Sequence, residues 1–375
     1  MSGNGAGQHF DVLIIGGGVI GLSIARELKK QGVERIAVFE RNAVCGAEAS
    51  SAAAGMLAPQ AEADSADDFF NLCAASRDLY PQFAAELLAE TGVDIELDRA
   101  GTLYLAFYES DLNKIEKRFA WQKAAGLPIV KLTAKEILDL EPNVSPEVLG
   151  GLRFELDWQV ENRRLVAALS ESEHRACLTQ CPVEALLFDN KRICGLQTER
   201  GSFFAPIVVI TAGAWTSLLN FPPELAKKIK ISPIRGQILS FTSDEKVFSH
   251  VIHTPRGYVV PRRDNRILVG ATIENVGFDR RTGSAAMNYL LETKDEISSK
   301  SAKTEFVESW MGFRPKTPDG FPLLGEFPAQ SGLYFATGHY RNGILLAPLT
   351  GKLIADKIAN GTDSPYLRIF NPSRF

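Results

Sequence analysis

The sequence has almost no surplus of either charge. Its 41 basic and 45 acidic side chains give a formal net charge of -4 over 375 residues. A nucleic-acid partner needs a basic excess or a basic stripe to neutralise phosphate, so that class is excluded. Apolar runs long enough to span a bilayer are missing too. The opening "MSGNGAGQHFD" lacks the charged start of a secretory leader. The expectation is a soluble, cytoplasmic protein.

Cysteine is sparse. Cys45, Cys73, Cys177, Cys181 and Cys194 form an odd, scattered set, and a chain of this length does not need disulfides, so reduced thiols are expected. His174, Cys177, Cys181 and Cys194 could be drawn together on paper. They lack the paired close spacing of a zinc site, so no metal is expected. Internal repeats, low-complexity blocks and Pro/Gly/Ser linkers are absent as well.

What the sequence does have is apolar mass and changing texture. Hydrophobic residues make up 45% of it, enough for a large core or two. "DVLII", "VIGLSIARELKKQG" and "RIAVFE" read as strand, helix and strand, with Gly32 suited to the helix C-terminus. "AELLAETG" ends another helix, and "VDIELDRAGTLYLAF" reads as paired strands. "SFFAPIVVITAGAW" reads as a buried strand running into a small-residue loop. "GYVVPRRDNRILVGATIE" reads as a hairpin turning at "RRDN". The end of the chain, "GLYFATGHYRNGILLAPLTGKLIADKIANG", is strand, glycine-rich loop and helix. Such α/β segments at both ends, with β-rich sequence between, predict a discontinuous α/β domain carrying an inserted antiparallel domain.

Gly16, Gly18 and Gly21 fit G-x-G-x-x-G between a strand and a helix. The first glycine permits the turn, the second admits a pyrophosphate, and the third lets helix and strand pack closely. The helix N-terminus then offers N–H groups to phosphate. Glu40 ends the next strand, at the interval expected of an acid that binds a ribose 2′-OH. That acid disfavours NADP but leaves NAD and FAD both open. "ASSAAAGMLAPQAE", from Ala49 to Glu62, is small and hydroxyl-rich. It suits either close helix packing or a flat, extended ligand.

Several of these segments together carry a resemblance. The glycine loop with Glu40, "SSAAAGMLAP", "VVITAGAWT", "GYVVPR", "GFRPKTPDGFPLLG", "GHYRNGILLAP" and "FNPSRF" occur in the order seen in the D-amino-acid oxidase superfamily of FAD-dependent oxidoreductases. Within it the chain most resembles the ThiO-type glycine oxidase family, over nearly its whole length. The resemblance implies an α/β plus antiparallel β fold: a Rossmann-like (GR2-type) FAD-binding domain with an inserted α+β substrate domain. Residues 1–90, 157–228 and 311–375 would form the first, and 91–156 and 229–310 the second. It also implies FAD, held noncovalently, because no cysteine lies near Arg314, where related sarcosine oxidases attach theirs. The family often forms tetramers, so the resemblance also implies a homo-oligomer.

Carried over by position, Gly16, Gly18 and Gly21 would belong to the cofactor-binding loop, Val19 and Ile20 would lie beneath the pyrophosphate, and Glu40 and Arg41 would be at the adenosine ribose. Ala49, Ser50, Ala54, Gly55 and Met56 would line the flavin, and Val183 the adenine. The loop His339, Tyr340, Arg341, Asn342, Gly343, Ile344 and Leu345 would pass under the isoalloxazine. Arg314 would bind a substrate carboxylate with Tyr258, and Arg341 would sit beside both substrate and flavin. The implied reaction is oxidative deamination of glycine, sarcosine or D-alanine. A hydride passes from Cα to flavin N5, giving imine or glyoxylate, ammonia or amine, and hydrogen peroxide from oxygen, with a place in thiamine biosynthesis.

Such chemistry needs a cation for the carboxylate and close orientation of Cα, but no protein acid or base. No Ser/His/Asp or paired-carboxylate constellation stands out, and His339 is expected to be a loop histidine that hydrogen-bonds backbone. Ile273 falls where relatives place an oxygen-activating lysine. Arg256 is a candidate for binding a second anionic group. The competing enzyme reading is an amino-acid dehydrogenase that passes electrons to a quinone or a partner subunit. A non-catalytic FAD or NAD protein is the other; a carboxylate clamp would be superfluous there.

Overall fold

A computed structural model describes residues 8–172, 176–299 and 302–375. Val12–Ile15 and Ile36–Phe39 are buried at every position. That is the pattern of parallel strands covered on both faces. They lie in a six-stranded sheet whose order is Leu323–Glu326, Leu333–Thr337, Ile207–Ile210, Val12–Ile15, Ile36–Phe39 and Ala176–Leu178. The pair Leu323–Glu326 and Leu333–Thr337 is antiparallel and the other pairings are parallel.

Two helices cover one face of this sheet. Val19–Lys30 packs against Gly343–Asn360, closely enough that a Cβ on Gly351 would stand 3.0 Å from the Ser23 carbonyl oxygen. Gly32, at φ +84°, takes the left-handed backbone just past the first helix, where the sequence put it. Lys29 and Lys30 complement that helix's last turn. A second sheet of four short strands (Gln8–His9, Gly201–Phe204, Arg192–Thr198 and Val183–Asp189) backs the other face.

An eight-stranded sheet forms the rest. Its order is Glu305–Lys316, Ser232–Thr242, Ile267–Gly270, Tyr258–Pro261, Val251–His253, Thr102–Ala106, Gly150–Phe154 and Val130–Thr133. All its pairings are antiparallel except that of Val251–His253 with Thr102–Ala106. The expected hairpin is present, with Tyr258 opposite Gly270 and Pro261 opposite Ile267.

Two readings of the sequence need correction. "VDIELDRAGTLYLAF" holds one strand, not a pair. Asp94 accepts a hydrogen bond from the Glu96 N–H at 2.8 Å and Glu96 takes φ +56°, so the chain turns there instead of extending. "SFFAPIVVI" is likewise two strands in different sheets, Gly201–Phe204 and Ile207–Ile210, with Pro206 between them. His174, part of the paper metal set, lies outside the described residues. Among those described, no group of three or more His, Cys, Asp or Glu side chains could hold a metal ion.

Candidate active site

One continuous cavity of about 460 Å³ runs from the glycine loop to the long antiparallel sheet. Gly16, at φ +114°, starts it. A Cβ there would lie 2.5 Å from the Thr211 carbonyl oxygen, and one on Gly21 would lie 2.1 Å from the Gly16 carbonyl oxygen. Both positions therefore exclude any side chain. Gly18 caps the helix Val19–Lys30 without a capping side chain and presents bare backbone to the cavity beside Val19 and Ile20. Ser50 Oγ accepts from the Val19 N–H at 3.0 Å, tying the small-residue stretch to the helix start.

Glu40 is held from both sides. Its Oε2 accepts from the Gly17 N–H at 3.0 Å, and its Oε1 accepts from the backbone and side-chain nitrogens of Asn42 at 2.8 Å each. A carboxylate has about four acceptor directions, so a diol at the cavity wall still finds a lone pair. Arg41 lies 3.6 Å above the Trp215 ring and pairs with Glu48 at 2.6 Å. Val183 lines this end with Cys181 and Pro182.

A bare-backbone helix N-terminus, a braced acid at the next strand end and a groove floored by small residues together fit a dinucleotide such as FAD. Ala49, Ser50, Ala54, Gly55 and Met56 all line the cavity. Gly55 is required by its neighbour, since a Cβ would stand 2.0 Å from the Val160 carbonyl oxygen. Of the two readings of that stretch, the extended-ligand surface is the one its placement supports.

At the far end the loop His339 to Ile344 forms the wall. Tyr340, at φ +49°, makes the turn, and Asn342 precedes the helix Gly343–Asn360. His339 is buried, which holds its imidazole down to a pKa of about 3, and its Nε2 lies 3.1 Å from Thr350 Oγ1. It is neutral, but its ring partner is a threonine hydroxyl eleven residues on and not the expected backbone. Two expected site residues stand behind the wall. Gly21 serves helix–loop packing. Leu345 turns into the core, where it is 1% exposed, because the third residue of that helix faces the sheet.

Arg314, Tyr258 and Arg341 come together at this end. The strand Glu305–Lys316 carries Arg314, whose guanidinium lies over Gly236 of the neighbouring strand. A Cβ there would be 2.2 Å from Arg314 Nη1. Nη1 donates to the Thr272 carbonyl oxygen at 3.0 Å. Burial pushes the Arg314 pKa down, although an arginine remains charged through any such shift. Tyr258 is 6% exposed. Burial raises its pKa, and Arg314 and Arg341 only partly counter that, so the hydroxyl keeps its proton. Gly270, opposite in the hairpin, makes room for the ring: a Cβ would meet it at 2.4 Å.

Arg341 pairs with Glu62 at 2.6 Å, and that carboxylate raises the arginine's pKa. Burial alone would raise the pKa of Glu62; Arg341, then His253 and Arg118, more than offset it and hold it at about 2. His253 Nε2 lies 3.3 Å from Glu62 Oε1, and its ring stacks on Tyr104 with centroids 5.5 Å apart.

Sequence reasoning missed Glu62 and His253. The one available signal was an acid closing an otherwise small, uncharged stretch. His250 is structural: its Nδ1 lies 2.6 Å from Glu141 Oε1. The Arg256 expectation needs revision. Its guanidinium pairs with Glu296 at 2.7 Å and with Asp111 at 3.5 Å and lies over Tyr108, so its charge is already answered outside the pocket. Ile273 is at the mouth and 60% exposed.

Among the described residues, four arginines line the cavity: Arg41, Arg256, Arg314 and Arg341. Among the described residues, three have carboxylate partners and Arg314 has none. A half-buried cation without a described carboxylate partner, beside a dinucleotide groove, is chemically able to receive an organic anion.

Comparison with known proteins agrees with this class. The FAD dependent oxidoreductase family (DAO) matches residues 11–357, and the chain belongs to it. It is 37% identical over 355 residues to the glycine oxidase of Geobacillus kaustophilus (strain HTA426), covering 94% of this chain and 93% of that one. The crystal structure of glycine oxidase from Geobacillus kaustophilus superposes with a TM-score of 0.91, covering 98% and 99% of the two chains at 35% identity. The bifunctional protein ThiO/ThiG of Trichormus variabilis (strain ATCC 29413 / PCC 7937) is 38% identical over 373 residues. That match takes in 97% of this chain and 55% of the longer protein. No described helix is long and apolar enough to cross a membrane.

Proposed function

We propose that this FAD-dependent oxidoreductase oxidises glycine and other small amines, such as sarcosine and D-alanine, with molecular oxygen as acceptor. The products are the imine (then glyoxylate from glycine), ammonia or amine, and hydrogen peroxide. The observation that carries the reading is Arg314, a half-buried guanidinium without a carboxylate partner among the described residues, in the same cavity as the glycine loop. The relatives named glycine oxidase support it independently. Likeness to ThiO/ThiG proteins supports a place in thiamine biosynthesis, where the imine would be the useful product.

Bound FAD supplies the two-electron acceptor. The protein's part is to hold the amine. Arg314 offers its two-pronged fork to the carboxylate, and Tyr258 donates its hydroxyl beside it. Arg341 and Glu62 cancel each other's charge, leaving one net positive charge, which suits a monocarboxylate. The low pKa of Glu62 keeps it anionic at neutral pH, an acceptor for the N–H groups of the amine. His339 stays neutral and bonded to Thr350, so it takes no proton.

The reading includes FAD bound without a covalent link. Cys181, the cysteine that lines the cavity, lies at the Val183 end, away from Arg314. It also divides the chain at the expected boundaries, with residues 91–156 and 229–310 as the substrate domain. The test is Arg314→Ala. Truncating one partner of a buried charge pair costs about 2–5 kcal/mol, so KM for glycine should rise by about two orders of magnitude while FAD stays bound. An unchanged KM would overturn the assignment.

A further inference from the structure

Cys45 and Cys177 are 132 residues apart, yet their sulfurs stand 3.0 Å from each other. Each belongs to a different wall of the adenosine end of the groove. Cys45 lies in the segment after the strand Ile36–Phe39, whose residues Arg41, Asn42, Gly46, Ala47 and Glu48 line the cavity. That wall is laced to the glycine loop: the Gly46 N–H donates to the Gly17 carbonyl at 2.8 Å, and a Cβ on Gly17 would touch Cys45 Sγ at 2.8 Å. Cys177 lies in the strand Ala176–Leu178, opposite Val38, and that strand leads directly to Cys181, Pro182 and Val183 on the other wall. The Gln180 N–H donates to the Asn42 carbonyl at 2.9 Å, a neighbouring tie between the same two walls.

Neither sulfur belongs to the cavity lining, but a bond between them would staple its two walls together. We propose that Cys45 and Cys177 are a peroxide-oxidisable dithiol whose disulfide holds the adenosine end of the groove closed and slows FAD release. Cys177 is exposed and Cys45 half-buried, so the first attack falls to Cys177. Its thiolate attacks one oxygen of hydrogen peroxide; the O–O bond breaks, a sulfenic acid forms, and the leaving hydroxide takes up the proton that the thiol gave up, as water. The Cys45 thiolate then attacks that sulfur, the S–O bond breaks, and the leaving hydroxide takes up the proton released by Cys45, giving a second water and the disulfide. Two thiols lose two electrons and one peroxide gains them. The sulfurs need approach by only about 1 Å to reach the bonded distance of about 2 Å.

Cys73 shows the contrast. Burial, followed by the nearby Glu62, Asp67 and Asp157, pushes its thiol pKa up, so it is a poor nucleophile. Amine oxidation would release peroxide from the same molecule. That source rests on the proposed function, whereas the dithiol does not.

The test uses the holoprotein, reduced, desalted and exposed to added hydrogen peroxide without any amine. Digestion without reductant should yield a Cys45–Cys177 linked peptide by mass spectrometry. Flavin fluorescence after dilution should show FAD leaving about tenfold more slowly than from the dithiothreitol-treated protein, because local opening of the two walls is restrained. The difference should vanish in Cys45→Ser and in Cys177→Ser, and reversal of the wild type by dithiothreitol stands even if a variant folds poorly. Absence of the linked peptide at excess peroxide, or a linked peptide with unchanged FAD release, overturns the proposal. Neither outcome bears on glycine oxidation, which was not used to generate the oxidant.

Discussion

Arg314 is useful because its surroundings leave its charge unanswered by any described carboxylate. Arg41, Arg256 and Arg341 border the same cavity, but each is already paired. This orders their expected phenotypes. Arg256→Ala should leave the preference between glycine and a dicarboxylic amine unchanged, because Glu296 and Asp111 hold that side chain. A steady-state comparison of kcat/KM for the two substrates checks it, and a shift toward glycine would restore Arg256 as an anion site. His339 gives a prediction about pH. With burial holding its pKa near 3, it carries no proton across the working range. His339→Gln should therefore leave the shape of the kcat/KM profile between about pH 6 and 8 unaltered. Loss of a limb near the ordinary histidine value of about 6.5 would contradict that.

Short elements position these side chains, and small residues set the tolerances. Gly236 is the floor under the Arg314 guanidinium, so Gly236→Ala should displace that group. KM for glycine should rise with little change in unfolding midpoint. Gly21→Ala acts elsewhere, against the Gly16 backbone. Overpacking at such a site costs about 1–3 kcal/mol, visible as a lower thermal midpoint and weaker FAD retention.

The short helix Pro59–Glu62 carries Glu62 and is anchored by Asp157, which accepts from the Gln60 N–H at 3.1 Å and the Ala61 N–H at 2.7 Å. Burial raises the Asp157 pKa to about 7, although those two N–H groups and Arg77 favour its charged form. The folded state thus keeps a proton that the unfolded chain releases near 4. Stability then falls as pH rises from about 4 to about 7. Denaturant unfolding should show the wild type losing stability relative to Asp157→Asn across that window. A constant difference would contradict it.

At this scale the sequence was readable where periodicity was strong, as in Val12–Ile15, Val19–Lys30 and the Tyr258–Gly270 hairpin. It misled where local turn chemistry overrode propensity, at Asp94 and Glu96, and where one apolar run served two sheets on either side of Pro206.

Across the whole molecule, the cavity is assembled from segments some three hundred residues apart. The glycine loop and Glu40 were legible because strand, turn and helix are contiguous in sequence. Arg314, Tyr258 and Arg341 were legible only through motifs that resemble a known family, since nothing local distinguishes them from surface charges or a core aromatic. Glu62, His253 and the Cys45–Cys177 approach were not legible at all. Each depends on which strand lies beside which, and no periodicity in the sequence encodes that.

The central claim is that one cavity holds FAD and a small amino acid, the latter by Arg314. It is tested most directly by mixing the yellow holoprotein with glycine in the absence of oxygen and following the visible flavin absorption. The account predicts that glycine bleaches the wild type and that Arg314→Ala, equally yellow, needs about a hundredfold more glycine to bleach at the same rate. A wild-type protein that stays yellow with glycine, sarcosine and D-alanine alike would contradict it.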